Sequence, residues 1–191
     1  MTGCTIRTAI DAAIKDAEAA ASKAGVNAKA VCARLEKEEA EVAAGRAKKS
    51  PPVASNATEG EVIVARALRQ VLSLLDAGQG QQQVVDALGS SCILLNSIQT
   101  PIHAACEAEA GRGRGAGYAA GTRQALSSGG CNASRSLVAG ALLGARYGVG
   151  EGSGREGVPA SWVARTDVGE EAMRLAGKLG QDRAMDKGAR Q

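Results

Sequence analysis

The sequence holds no phenylalanine, one tryptophan, two tyrosines and one histidine in 191 residues. So few aromatics leave almost nothing on which nucleic-acid bases could stack, and no long basic face stands apart to meet a phosphate backbone. The 23 basic and 20 acidic residues are mixed along the chain for a net charge of +3. No nucleic-acid partner is therefore expected. The densest basic pieces, Gly45 to Lys49 and Gly111 to Arg114, read as solvated loops. No apolar run approaches the ~20 residues of a membrane helix, and the first residues lack a charged-then-apolar signal pattern. No membrane partner is expected, and the cytoplasm is the default location.

Cysteine pairs at short spacing are missing too. Cys4, Cys32, Cys92, Cys106 and Cys131 stand far apart, and the odd count without a secretory signal argues for thiols in a reducing compartment. Cys92 and Cys106 flank an apolar stretch and read as small buried hydrophobes. With His103 as the single histidine, zinc ligands cannot be assembled from nearby sequence. His103 lies on an apolar segment without a carboxylate close in sequence, so it reads as a satisfied core histidine rather than a catalytic base. The sequons at Asn56 and Asn132 carry little meaning without secretion.

What is abundant is alanine and glycine. Apolar residues make up 45% of the chain, alanine foremost among them, and there are 25 glycines. Alanine is the best helix former, but small side chains bury little area each. The expected product is a marginal helical domain, or one that needs a partner surface. No segment alternates convincingly with period two, so the fold class is all-α. Residues 5–44 read as two helices broken near Gly25-Val26-Asn27 and forming a peripheral hairpin (residues 1–44) rather than a core. Residues 45–60, with Pro51-Pro52, are the linker candidate. A stronger helix spans 61–76, with Val62, Ala65, Leu68, Leu72 and Leu75 on one side. Short helices follow near 81–88, 98–107 and 117–128, then one from Ser134 and a last one near 168–179.

Residues 127–147 are the most informative. Gly129 and Gly130 open a polar loop, Ser134 sits where a helix N-cap would sit, and an apolar helix follows. Leu137, Val138, Ala141, Leu142 and Ala145 predict its core-facing stripe, and Gly140, Gly144 and Gly148 a smooth face for another helix backbone. Such a loop can hold an anion at the helix start, or can be only a tight helix–helix connection.

These residues resemble a family. Gly-Gly-Cys-Asn-Ala-Ser-Arg at 129–135, followed by Gly-Ala-Leu-Leu-Gly-Ala at 140–145, is similar to the C-terminal signature of the ADP-ribosylglycohydrolase superfamily. Val158-Pro159-Ala160-Ser161-Trp162-Val163 looks like its Ile-Pro-x-x-Trp segment. Residues 91–104, ending Ile102-His103-Ala104, and Tyr118 to Arg123 resemble the preceding pieces in the same order. The likeness runs over roughly residues 84–180, and the loop is similar to the branch containing selenoprotein J and lens-crystallin relatives. It implies an all-α, orthogonal helical bundle, with residues 61–191 as the C-terminal half of such a domain.

The resemblance also implies a chemistry. Family hydrolases remove ADP-ribose from an acceptor with two magnesium ions, held by carboxylates of an N-terminal region and by an Asp-x-Asp-Thr/Ser set in the Gly-Gly loop. Here Cys131 falls on the first aspartate position and Ala133 on the second. Ser134 alone matches a family ligand, through its hydroxyl. Magnesium requires hard oxygen ligands, and a thiol suits softer metals. Asp11, Asp16 and Asp76 are isolated and do not form the family's acidic cluster. No cofactor is expected for this chain. The candidate ligand-loop residues are Gly129, Gly130, Cys131, Asn132 and Ser134, and no catalytic residue can be assigned.

Three readings follow: a partial or degenerate hydrolase completed by a missing N-terminal half, a non-catalytic helical interaction or structural protein, and an unrelated alanine-rich scaffold. A millimolar-range association with an ADP-ribose-like ligand is the most that the loop predicts. For architecture, a bundle over 61–180 centred on the helix from Ser134 is expected, with Trp162 packed on it and residues 45–60 irregular.

Overall fold

The structure is a computed structural model that describes residues 5–46, 52, 54–90, 94–150 and 157–188, with side chains up to residue 178. Among these residues the chain is all-α. The helices run α1 (Ile6–Lys23), α2 (Ala28–Ala43), α3 (Ala57–Asp76), α4 (Gln81–Leu88), α5 (Leu94–Glu109), α6 (Gly117–Leu126), α7 (Asn132–Tyr147), α8 (Ala160–Ala164) and α9 (Gly169–Gly188). The only extended pairing described is a single parallel bridge between Val149 and Val158.

Helix α1 starts where Thr5 accepts a hydrogen bond from the Thr8 N–H at 3.1 Å. It ends at Gly25, whose φ of 71° suits a residue without a Cβ. Ile6, Ile10 and Ile14 recur every four residues and bury one stripe in the main core, beside Leu68, Val71, Leu72 and Leu75 of α3. The expectation that α1 is peripheral is therefore corrected. Three isoleucines at the right spacing outweigh the alanine-rich remainder, because each buries far more area than an alanine. Helix α2 does lie to one side, packing Val31 and Leu35 on Val62 and Ile63 in a smaller cluster.

Helix α3 begins at Ala57, so the last four residues of the expected linker form its first turn. Asn56 caps it by accepting from the Glu59 N–H at 2.8 Å. The Glu59 carboxylate turns back to accept from the Ser55 N–H at 2.5 Å and from Arg34 of α2, tying the two helices together. Hydrogen bonds from Ser55 and the charge of Arg34 hold the Glu59 carboxyl below its usual range. Residues 47–51 and 53 of that linker lie outside the described residues.

The centre of the molecule is α5, not the helix after the glycine loop. From Asn96 to Ala108 nearly every side chain of α5 is buried, and α3, α6 and α7 pack around it. Its Pro101 lacks the N–H that would reach the Ser97 carbonyl. Helices α6 and α7 come close to α5 at Gly121, where a Cβ would lie 2.5 Å from Leu143 Cδ1 and 2.7 Å from Ala108 Cβ.

The buried face of α7 also differs from the expected stripe. Arg135, Ala139 and Leu143 face inward, while Leu137 is 71% exposed and Ala141 and Ala145 are exposed. Val138 and Leu142 flank the core, half-buried. The inward face is rotated by one residue because its N-terminal anchor is the polar side chain of Arg135, which an apolar pattern skips. The glycine face was expected to receive another helix backbone, and among the described residues none touches it at Gly140 or Gly144. Instead Tyr118 fills it, its hydroxyl oxygen 3.0 Å from where a Gly140 Cβ would stand. Trp162 of α8 meets the Tyr118 ring edge-on at 6.0 Å, with Arg123 over its indole. That docks α8 on the bundle, as expected.

Candidate functional site

Between α6 and α7 the chain reverses at Gly129 (φ 70°) and Gly130 (φ 67°), both exposed. Gly130 has no room for a side chain, since a Cβ there would collide with the Ser90 carbonyl oxygen. Helix α7 then begins at Asn132 with Cys131 in the N-cap position. Ser134 is thus in the first turn and not the cap. Its Oγ lies 3.1 Å from Cys131 Sγ, half-buried. Asn132 is exposed, and its N–H donates to Gly130 O at 2.9 Å. The five loop residues are brought together by contiguity alone, and no carboxylate stands in the first turn of α7.

Beneath the turn lies a buried polar layer. Arg135 donates from Nε to Thr100 Oγ1 at 2.9 Å and from Nη1 to Gly129 O, which clamps the turn to α5. Thr100 Oγ1 in turn donates to Asn96 O at 2.9 Å. The amide nitrogen of Gln81, at the start of α4, donates to Ser128 Oγ at 2.6 Å and Thr100 O at 3.3 Å. Its oxygen therefore accepts from His103 Nδ1 at 3.1 Å, which makes Nδ1 the protonated ring nitrogen. His103 is a core histidine, as expected, but its Nε2 has no hydrogen-bond partner among the described residues, so it is only half satisfied. Burial lowers its pKa, against the opposing charge of Glu107.

Thr100, Gln81, Ser128 and Arg135 were not foreseen as a group. The available signal was the register of Arg135, which shares one helical face with Ala139 and Leu143. The partners on α4 and α5 are 54 and 35 residues away from it, as the numbering of Gln81, Thr100 and Arg135 gives, and local pattern does not reach that far.

Cys106 is buried beside the core, and desolvation pushes its thiol up to about 12. Cys32 is half-buried. Cys4 and Cys92 lie outside the described residues, as does the Ser91-Cys92-Ile93 part of the resemblance. The basic loop at Gly111 to Arg114 is exposed, with Arg112 paired to Glu107 at 2.7 Å. Asp11 and Asp76 sit on helix surfaces, and Asp76 pairs with Arg7 at 2.8 Å.

The donor set at the loop does not suit magnesium. A thiol, a methyl group and one hydroxyl already in contact with that thiol supply a single hard oxygen where an octahedral ion needs several. Among the described residues, no three His, Cys, Asp or Glu side chains come together as metal ligands. No helix among them is long and apolar enough to cross a membrane.

The family model for ADP-ribosylglycohydrolase matches residues 3–189, well beyond the stretch whose motifs are legible. The chain belongs to the ADP-ribosylglycohydrolase family. It is similar to Crystallin J1A of Tripedalia cystophora, with 29% identity over 104 residues, which are 54% of this chain and 28% of that protein. The aligned chain thus spans little more than a quarter of that relative. No solved structure matches.

Proposed function

We propose that this member of the ADP-ribosylglycohydrolase family is non-catalytic as the chain stands, a helical structural or interaction module built on the family's architecture. The observation that carries this reading is the loop itself. Cys131 Sγ and Ser134 Oγ face each other at 3.1 Å where the family pattern has metal-binding oxygens, and Ala133 offers no donor. Without carboxylates the loop has nothing with which to fix magnesium or to activate a water through it. In that sense the chain is a pseudoenzyme, close to the selenoprotein J-like branch that its loop resembles. The glycine turn serves as a rigid connection, clamped from below by Arg135, and ADP-ribose associates with it at most in the millimolar range. A separate N-terminal half carrying the acidic cluster, or a helical partner, is the natural complement of such a chain. A cytoplasmic setting belongs to this reading, and the buried, unpaired Cys106 thiol, which suits a reducing compartment, supports it.

The test is an assay of ADP-ribose release from ADP-ribosylated peptide at millimolar magnesium. No turnover above the protein-free rate is expected. Magnesium-dependent release that Ser134→Ala abolishes would overturn the proposal.

A further inference from the structure

We propose that Arg135 holds a small monovalent anion, of chloride size, beneath the Gly129–Gly130 turn. The side chain of Arg135 is fully buried, with a relative exposure of 0%. Its two acceptors, Thr100 Oγ1 and Gly129 O, are both neutral, and Nη2 has no hydrogen-bond partner among the described residues. A guanidinium keeps its charge at any ordinary pH and presents five N–H donors, so most of its donor capacity here is unmet. A buried charge without a counter-charge is strongly unfavourable, and such groups are ordinarily paired.

The surroundings aggravate the imbalance. Arg135 occupies the first turn of a sixteen-residue helix, where the helix dipole is positive, and that turn carries no acidic residue. Position 131 is a thiol and position 133 a methyl group, so no neighbouring side chain in the loop offsets the guanidinium by a fixed negative charge. Nor does any described carboxylate pair with it: the buried Glu107 and the half-buried Glu109 are engaged by Arg112 and Arg146. Positive charge thus accumulates at one buried point of the fold.

The geometry limits the size of the anion. Gly130 already touches the Ser90 carbonyl so closely that a methyl group does not fit, and its Cβ position lies 3.0 Å from Arg135 Nη1. A peptide carboxylate or a phosphate group cannot pass between them without opening the turn. A single-atom anion needs only the N–H groups of Nη2, which no acceptor among the described residues occupies.

The experiment follows the thermal unfolding of the full chain at constant ionic strength while gluconate, which is too large to enter, is exchanged for chloride or bromide. The expected result is a midpoint that rises by about 3–6 °C for each tenfold increase in halide above the Kd, and that is flat in Arg135→Met. A wild-type midpoint indifferent to the halide, or one that rises equally in Arg135→Met, overturns the proposal. Should that variant fail to fold, crystals of the wild-type protein grown in bromide decide the matter through anomalous scattering. A bromide peak within hydrogen-bond distance of Nη2 supports the site, and an ordered water alone there overturns it.

Discussion

His103 Nδ1 donates to the Gln81 Oε1 at 3.1 Å, so the single histidine of the chain is tied to the start of α4. The bond fixes one neutral tautomer inside the core, and burial disfavours the charged ring. Its folded pKa is lowered, so the unfolded chain binds the proton more readily than the native one. The stabilisation from neutral His103 is complete above the unfolded pKa of about 6.5 and is lost as the pH falls below it toward the folded value. Urea midpoints of the wild type should decline between about pH 7.5 and pH 5, before most carboxylates titrate. Those of His103→Gln should stay nearly level over the same range.

Thr100→Val tests the clamp on the glycine turn. The substitution keeps the shape but removes the oxygen that accepts from Arg135 Nε, leaving another buried donor unmet. A loss of about 1–3 kcal/mol is expected from urea denaturation. Hydrogen exchange of the Gly129 to Asn132 amides should quicken, since the clamp joins that turn to α5. Unchanged stability and exchange would show that the clamp does not hold the turn.

Gly121 and Gly140 should respond differently to alanine. At Gly121 the new methyl would press on Leu143 and Ala108 in the α5–α6–α7 contact, at 2.5 and 2.7 Å. Overpacking of this kind costs about 1–3 kcal/mol. At Gly140 the nearest atom is the far end of Tyr118, at 3.0 Å, which can shift. Replacing a mid-helix glycine also gains up to about 1 kcal/mol of helix propensity. Melting curves should therefore place Gly140→Ala well above Gly121→Ala.

Cys106 should be inert while the chain is folded. Its thiol pKa of about 12 leaves almost no thiolate at pH 8. Iodoacetamide labelling read by mass spectrometry should leave the Cys106 peptide unmodified until urea unfolds the protein. Labelling of that peptide in the native state would mean that the core around α5 opens.

Magnesium titration followed by calorimetry should show no site tighter than about 1 mM, a free energy of about −4 kcal/mol. Cys131→Asp combined with Ala133→Asp should strengthen binding at the loop by adding two hard oxygens. It should not create hydrolysis unless an acidic N-terminal half is also supplied.

Much of this fold was legible along the chain. The absence of period-two alternation gave the all-α class, and the 81–88 helix fell at its expected residues. The family likeness was visible where glycine, proline and tryptophan carry it. The register of α7 was not. Its apolar residues lie on nearly every side of the helix, so periodicity cannot choose among faces, and the anchor of the true face is an arginine. Likewise α1 looked peripheral because alanine dominates it, although three isoleucines at four-residue spacing reach the core.

The sequence by itself determined the helices, the glycine reversal and the loss of carboxylates at positions 131 and 133, because each depends on residue type within a few positions. Tertiary structure alone decided that α5 is the centre, that Tyr118 fills the glycine face, and that Gln81, Thr100, His103 and Arg135 form one buried polar layer. Those outcomes depend on which surfaces meet after the chain has folded back on itself. Burial and hydrogen-bond pairing between distant helices settle that, and no local pattern encodes it.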